Sequence, residues 1–360
     1  MTGTDTSWRE TWAQRERVAD HPDAPGLFLA LAPMDGVTDA VYRGLLTEQF
    51  GGRSGISLCV SEFVRVTRDP VPAHVIRRHC PEVDTGGRTR AGVPVFVQLL
   101  GGDPTPMAAT ARRAAELGAC GVDLNFGCPA KTVNSHDGGA KLLKEPDRIE
   151  RITRAARDAV PHDVPVTVKI RIGWDSGDTI EEIARAAARG GATWLTVHAR
   201  TRVQLYRPPV HWHVLARARD AAGALPVIAN GDLFAPEDLA RCAASSRCHA
   251  FMIGRGAMGS PGLFARARGW RQGPMPLPEL AALLREYQAR MRASGLPEAR
   301  ALCRVKQWLR MAAATRPDIV WLFNHIKVMR DWAPAAVALI AVERGALAAG
   351  EPDDALDRAG

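Results

Sequence analysis

Short apolar runs recur along the chain, each followed by a more polar stretch. They are LFLALA (27–32), ISLCV (56–60), VPVFVQL (93–99), GVDL (121–124), VPVTVKI (164–170), TWLTV (193–197), LPVIA (225–229) and HAFMI (249–253). Between most of them lie Ala-, Arg- and Glu-rich segments of helical period, such as TPMAATARRAAEL and TIEEIARAAARG. Glycines close several of these, as expected just past a helix end. Eight strands alternating with helices predict an α/β chain folded as a (β/α)8 TIM barrel. A doubly wound open sheet is the competing reading. The G-x-G-x-x-G turn that it favours is missing after the first run, which tilts the choice to the barrel. The connection 61–92 is long and rich in Pro, Arg and Gly, and predicts an excursion from the barrel.

The pattern changes after residue 272. A proline-rich stretch ends the barrel, and an Ala-rich helical segment without strand signal follows. The expected organisation is a catalytic domain over 27–272 and a separate helical domain over 277–349. Residues 1–26 have no apolar h-region, so they are no secretory signal and predict a polar, mobile extension. Trp8 and Trp12 in it alternatively form one helical-turn pair. Residues 350–360 predict a frayed tail.

Composition changes this picture little. The chain is 46% hydrophobic and 24% charged, which is ordinary globular usage. No run reaches the roughly 18–20 apolar residues needed to span a bilayer, so no membrane is expected. Seven cysteines without a C-x-x-C pair argue against a disulfide framework and a metal site, and favour a reducing cytoplasm. The net charge of +8 suits a polyanionic partner without requiring one.

In a barrel, chemistry sits at the C-terminal ends of the strands. The residues there are Pro33 and Met34, Glu62, Gln98, Asn125, Lys169 with Arg171, His198, Asn230 with Gly231, and Gly254 with Arg255. Caps and turns account for some of them, but nearly every run ends this way, which predicts a site. ANGDL and IGRGAM read as phosphate-binding turns assisted by a helix dipole, or as two ordinary tight turns. A buried Lys169 needs an anion nearby or loses its proton. Cys128, between Gly127 and Pro129, is either a thiol held rigidly for chemistry or a small hydrophobe filling a gap.

The segments LAPMDGVTD, VQLLGGDP, GVDLNFGCPAKTV, VPVTVKIRIGWD, TVHARTR, PVIANGD and FMIGRGAM together resemble the tRNA-dihydrouridine synthases. CVSEFVRV, IRIGWDSGD and RVKQWLR resemble their C subfamily, which acts on uridine 16 of the D-loop. The resemblance implies an FMN-binding barrel followed by a four-helix tRNA-binding domain. It further implies a cytoplasmic, metal-free monomer re-reduced by NADPH (or NADH). By the same resemblance Cys128 is the proton donor: hydride passes from reduced FMN to C6 of the uracil and a proton from Cys128 to C5. Pro33, Met34 and Asp35 line the flavin, Gln98 contacts its ring, and Lys169 meets its N1/O2 edge. Asn230, Gly231, Asp232, Gly254 and Arg255 hold the phosphate region, with His198 nearby. Arg65, Asn125, Arg171 and Tyr206 match positions that face the RNA, as do Arg304, Lys306 and Lys327 in the helical domain.

Three features depart from the family pattern. Asp35 replaces a Glu or Ala, Phe126 stands where a second cysteine can occur, and His136 and Asp137 stand in a loop usually richer in glycine, where a spare-acid role for His136 is the minor alternative. Two other functions compete. One is an FMN-dependent reductase of free pyrimidines, like dihydroorotate dehydrogenases; the other is a non-enzymatic tRNA-binding protein. The helical segment 276–350 carries 11 Lys and Arg against 6 Asp and Glu. Over 300–313, Leu302, Val305, Leu309 and Ala312 form an apolar stripe opposite Arg300, Arg304, Lys306 and Arg310. That arc is a solvated face or an RNA face.

Overall fold

The computed structural model describes residues 27–134 and 137–347, so Trp8, Trp12, His136 and the tail lie outside the described residues. The strands are β1 (Phe28–Leu31), β2 (Leu58–Val60), β3 (Val64–Arg65), β4 (Val95–Leu100), β5 (Val122–Asn125), β6 (Val166–Arg171), β7 (Leu195–His198), β8 (Val227–Asn230) and β9 (Ala250–Ile253). All their pairings are parallel. β1 pairs with both β2 and β9, and β2 pairs with β4, so eight strands close into a ring. Closure excludes the open doubly wound sheet. The ninth strand, β3, is two residues added to the end of β4 inside the 61–92 excursion. Two residues carry no period, so the sequence pattern passed over it.

The helices between strands are α1 (Ala40–Glu48), α2 (Ala73–His79), α3 (Pro104–Glu116), α4 (Lys131–Asn134), α5 (Pro146–Ala159), α6 (Ile180–Arg189), α7 (Trp212–Ala222) and α8 (Pro236–Ser246), and α9 (Arg255–Gly259) and α10 (Leu263–Ala267) follow β9. Period-two alternation decides what each strand buries on either side. Leu29 and Leu31, Val97 and Leu99, Val122 and Leu124, Val166 and Val168 join the large core under the helices. Phe28, Ala30, Leu58, Phe96, Ile228 and Met252 form a second, separate cluster in the barrel interior. Trp194 stacks on Phe96 at 5.3 Å and meets Phe28 edge-on at 5.9 Å, which plugs that interior with aromatic rings.

Toward the strand C-termini the inward positions turn polar. Gln98 pairs in register with Asp123, Asp123 with Thr167, and Asn125 with Lys169; His198 pairs with Asn230. The runs are therefore apolar on both faces low in the barrel, and on the outer face alone near the mouth. Asp123 and Thr167, inside GVDL and VPVTVKI, were legible as period-two polar positions, yet reading only the residues past each run missed them.

Four helices follow the barrel: α11 (Leu277–Ala293), α12 (Glu298–Ala313), α13 (Val320–Lys327) and α14 (Trp332–Glu343). Trp308 of α12 is fully buried, and its indole N–H donates to the Met258 carbonyl at 2.9 Å. Its ring meets Tyr42 of α1 at 4.8 Å and Tyr287 of α11 at 5.1 Å, both edge-on. Edge-to-face aromatic contacts of this kind add to the area they bury, and here they weld the helices to the barrel.

Candidate active site

A cavity of about 600 Å³ opens at the C-terminal mouth of the barrel, within the usual range for a small-molecule site. Cys128, Lys169, Arg171, Tyr206 and Asp232 all line it. So do the other flavin-side positions singled out above: Pro33, Met34, Asp35, Gln98, His198, Asn230, Gly231, Gly254 and Arg255, with Asn125 among the RNA-facing set. Arg65, Arg304, Lys306 and Lys327 do not. Met311 of α12 lines the cavity as well, so the helical segment completes the mouth. No local motif around Met311 marked it.

A relay of buried hydrogen bonds holds the floor. Thr167 donates to Asp123 at 2.6 Å, the Gln98 amide donates to the other Asp123 oxygen at 2.7 Å, and the Asn125 amide donates to Gln98 at 2.9 Å. The Asn125 oxygen in turn accepts the backbone N–H groups of Gly127 and Cys128 at 2.9 and 3.0 Å. Asn125 is thus committed to its own loop, and that acceptor is spent before any RNA arrives. Downstream, Asn134 donates to the Cys128 and Ala130 carbonyls at 3.2 and 2.7 Å, and its oxygen accepts Lys141 N–H. Arg171, 2% exposed, donates to the carbonyls of Gly127, Thr201 and Leu205. It therefore acts as a fastener of the Cys128 loop, which its place in the RNA-facing set did not suggest. Arg65 is exposed and donates to Thr132 just beyond that loop.

The partly buried Cys128 thiol faces the cavity, and burial pushes its pKa above the ordinary 9.0, ahead of the opposing pull of Arg171 and Lys169. It keeps its proton at neutral pH. Phe126, by contrast, is fully buried in the outer core. Lys169 donates to Asn230 at 3.2 Å, and burial followed by the neighbouring Arg171 lowers its pKa to about 8. His198 sits among Lys169, Arg171, Arg200 and Arg255, and burial first and these cations second hold it neutral, well below 6.5.

At the other end of the cavity, Arg255 donates to Asp232 at 2.6 Å. Arg200, 1% exposed, grips both oxygens of Asp232 and donates to the Arg207 carbonyl. Asp232 itself repels a phosphate; its place is to aim Arg255. Arg200 escaped the sequence reading because it lies beyond the strand end in HARTR and reaches the site through Asp232. The dipole expected after the last two strands contributes little. α9 is only five residues long, and Asp238 already takes the N–H groups of Phe234 and Ala235 at the start of α8. Gly231 is required: its φ is +121°, and a Cβ there would lie 2.9 Å from the His198 ring.

The basic arc of α12 is less open than its helical wheel predicts. Arg304 pairs with Asp39, the N-cap of α1, at 3.3 Å, and Lys306 donates to the Met329 carbonyl. α12 packs against the barrel on one side and the end of α13 on the other, which a single-stripe wheel does not include. Arg300, Arg310 and Lys327 remain exposed. Among the described residues no His, Cys, Asp and Glu cluster could hold a metal, and no helix is long and apolar enough to cross a membrane.

The dihydrouridine synthase family description matches residues 30–331. The chain belongs to the dihydrouridine synthase family. Curated relatives of this family that it resembles carry the name tRNA-dihydrouridine(16) synthase. That of Pseudomonas putida is 45% identical, over 85% of this chain and 94% of its own. The Escherichia coli protein is 43% identical over 87% and 98%, and that of Cupriavidus necator 46% over 84% and 93%. A solved structure described as TcOYE with pHBA superposes with a TM-score of 0.50 at 13% identity, covering 69% of this chain and 90% of that one. That likeness speaks for the barrel fold alone.

Proposed function

We propose that this protein reduces a uridine in the D-loop of tRNA, at position 16, to 5,6-dihydrouridine, with bound FMN and with NADPH as reductant. Family membership and the relatives' shared name support the reaction class and the position. The observation that carries the chemistry is a protonated Cys128 thiol, on a loop fastened by Asn125, Asn134 and Arg171, opening on the same cavity as the buried ammonium of Lys169.

The residues fit FMN. Pro33, Met34 and Met252 offer apolar surface, Lys169 and Asn230 a polar edge, and Arg255 an anion contact beside the close approach that Gly231 allows. FMN, when bound, supplies the two electrons of the reduction. The chain supplies the rest. Cys128 delivers the proton to C5, and the relay through Gln98 and Asp123 keeps the thiol loop from shifting. Lys169 offsets negative charge at the ring edge it faces. Tyr206, half exposed between Arg171 and Arg255 at 5.3 and 5.1 Å, guards the mouth where the unstacked base enters.

The test is single turnover by pre-reduced protein on tRNA lacking dihydrouridine, beside free uracil. Dihydrouridine at position 16 is expected; turnover on uracil alone would overturn the reading.

Lys169 adds a pH signature. Its folded pKa lies below the unfolded 10.5, so without an anion this residue costs stability at low pH, and the cost fades only as pH rises from about 8 to 10.5. An anionic ring edge restores the proton. Binding of FMN in its reduced form, whose ring carries that charge, is therefore expected to take up protons above pH ~8, measured by anaerobic calorimetry in buffers of different ionisation enthalpy. Lys169→Met should abolish the uptake.

A further inference from the structure

Beside the cavity, three loops converge on one indole. Trp174, in the loop after β6, lies with its ring 4.5 Å from the ammonium of Lys144 and 4.8 Å from the guanidinium carbon of Arg202. Lys144 ends the 3-10 turn Gly139–Lys144 that follows the Cys128 loop, and Arg202 lies in the loop after β7. The two cations are thus no farther apart than the sum of those distances. Neither forms an ion pair among the described residues. The nearest acids along the chain are engaged elsewhere: Glu145 with Arg148, and Asp175 and Asp178 with Ser176. The Arg202 Nε is buried with no hydrogen-bond partner.

Two like charges held on one indole, neither paired with a carboxylate, repel each other. The π-face of Trp174 offsets part of that cost and fixes the direction of both groups. The backbone fixes it further. Arg202 N–H donates to Gly173 and Val203 N–H to Trp174, at 3.0 and 2.9 Å. The same loop then runs through exposed Val203 and Leu205 to Tyr206 at the cavity mouth. Leu205 is three positions beyond Arg202, a span of at most ~11 Å.

We propose that Lys144 and Arg202, aligned on Trp174, form a phosphate-binding patch for tRNA on the barrel rim, separate from the helical segment. The proposal rests on tRNA being the substrate. It assigns part of the RNA grip to the loops that also carry Cys128, so docking there presses directly on the thiol loop.

The test compares the full-length wild type with K144E/R202E in binding to an unmodified tRNA transcript over a range of salt. Affinity at low salt is expected to drop about three- to tenfold. The slope of log affinity against log salt should fall by about 0.7 to 0.9 for each lost contact. Flavin content should not change. Lys144→Ala alone, at an exposed position, keeps the test open should the Arg202 change disturb its loop. If the wild type forms dihydrouridine and the variants bind with equal affinity and slope, the patch is overturned and the function stands. If the wild type neither binds the transcript nor acts on it, both fall.

Discussion

Cys128→Ala is expected to keep its flavin and its affinity for tRNA, and to form dihydrouridine about 10²- to 10⁴-fold more slowly in single turnover. The size follows from the role. A positioned general acid contributes that much, and removing one sulfur leaves the cavity walls, the relay and the Lys169 charge in place. Burial raises the thiol pKa, so the acid is present in its working form at neutral pH. The alkaline limb of the rate profile should therefore lie above 9.0, the value of an ordinary thiol. Loss of rate on the acid side of neutrality would contradict that assignment. Undiminished dihydrouridine in the alanine variant would remove Cys128 from the chemistry altogether.

The second large effect concerns stability. Arg43 of α1 is fully buried and binds Glu82 through two nitrogens, at 2.9 and 2.7 Å. It also donates to the Thr38 carbonyl at 2.7 Å and the His79 carbonyl at 3.2 Å. Arg43→Ala leaves the Glu82 carboxylate enclosed without its counter-charge and the two carbonyls without a donor. Breaking such a pair costs about 3–5 kcal/mol, which a urea midpoint reads directly. Thr38 bonds to Met34 in the β1–α1 loop, so the cavity wall should loosen with the fold and flavin retention should drop. The double change Arg43→Met with Glu82→Leu should recover most of the stability, because no lone charge remains. A double variant as unstable as the single one would place the cost in lost packing, not in the charge.

How much of this was legible follows from which residues carry local signals. The runs around LFLALA, VPVTVKI and HAFMI lie within a residue or two of β1, β6 and β9, because parallel strands bury both faces and read as continuous apolar stretches. The cavity residues at the strand ends were legible for the same reason: Gln98, Lys169 and Asn230 interrupt those stretches. Arg200 and Met311 were not, since one acts through Asp232 and the other lies in a later helix, more than fifty residues past the last strand itself. Arg304 and Lys306 looked like a free basic arc because periodicity describes one helix at a time.

The order of strands and helices, the polar residues at the mouth and the thiol in its Gly-Cys-Pro turn are local patterns, and the chain alone determines them through side-chain period and turn chemistry. Only the closed barrel decides which charges are neutralised and which are left waiting. Asp232 falls to Arg200 and Arg255 and Asp39 to Arg304, while Lys144 and Arg202 share nothing but an indole. Partners this far apart in sequence meet through tertiary packing, and Coulomb and hydrogen-bond energies depend on the distances that packing sets.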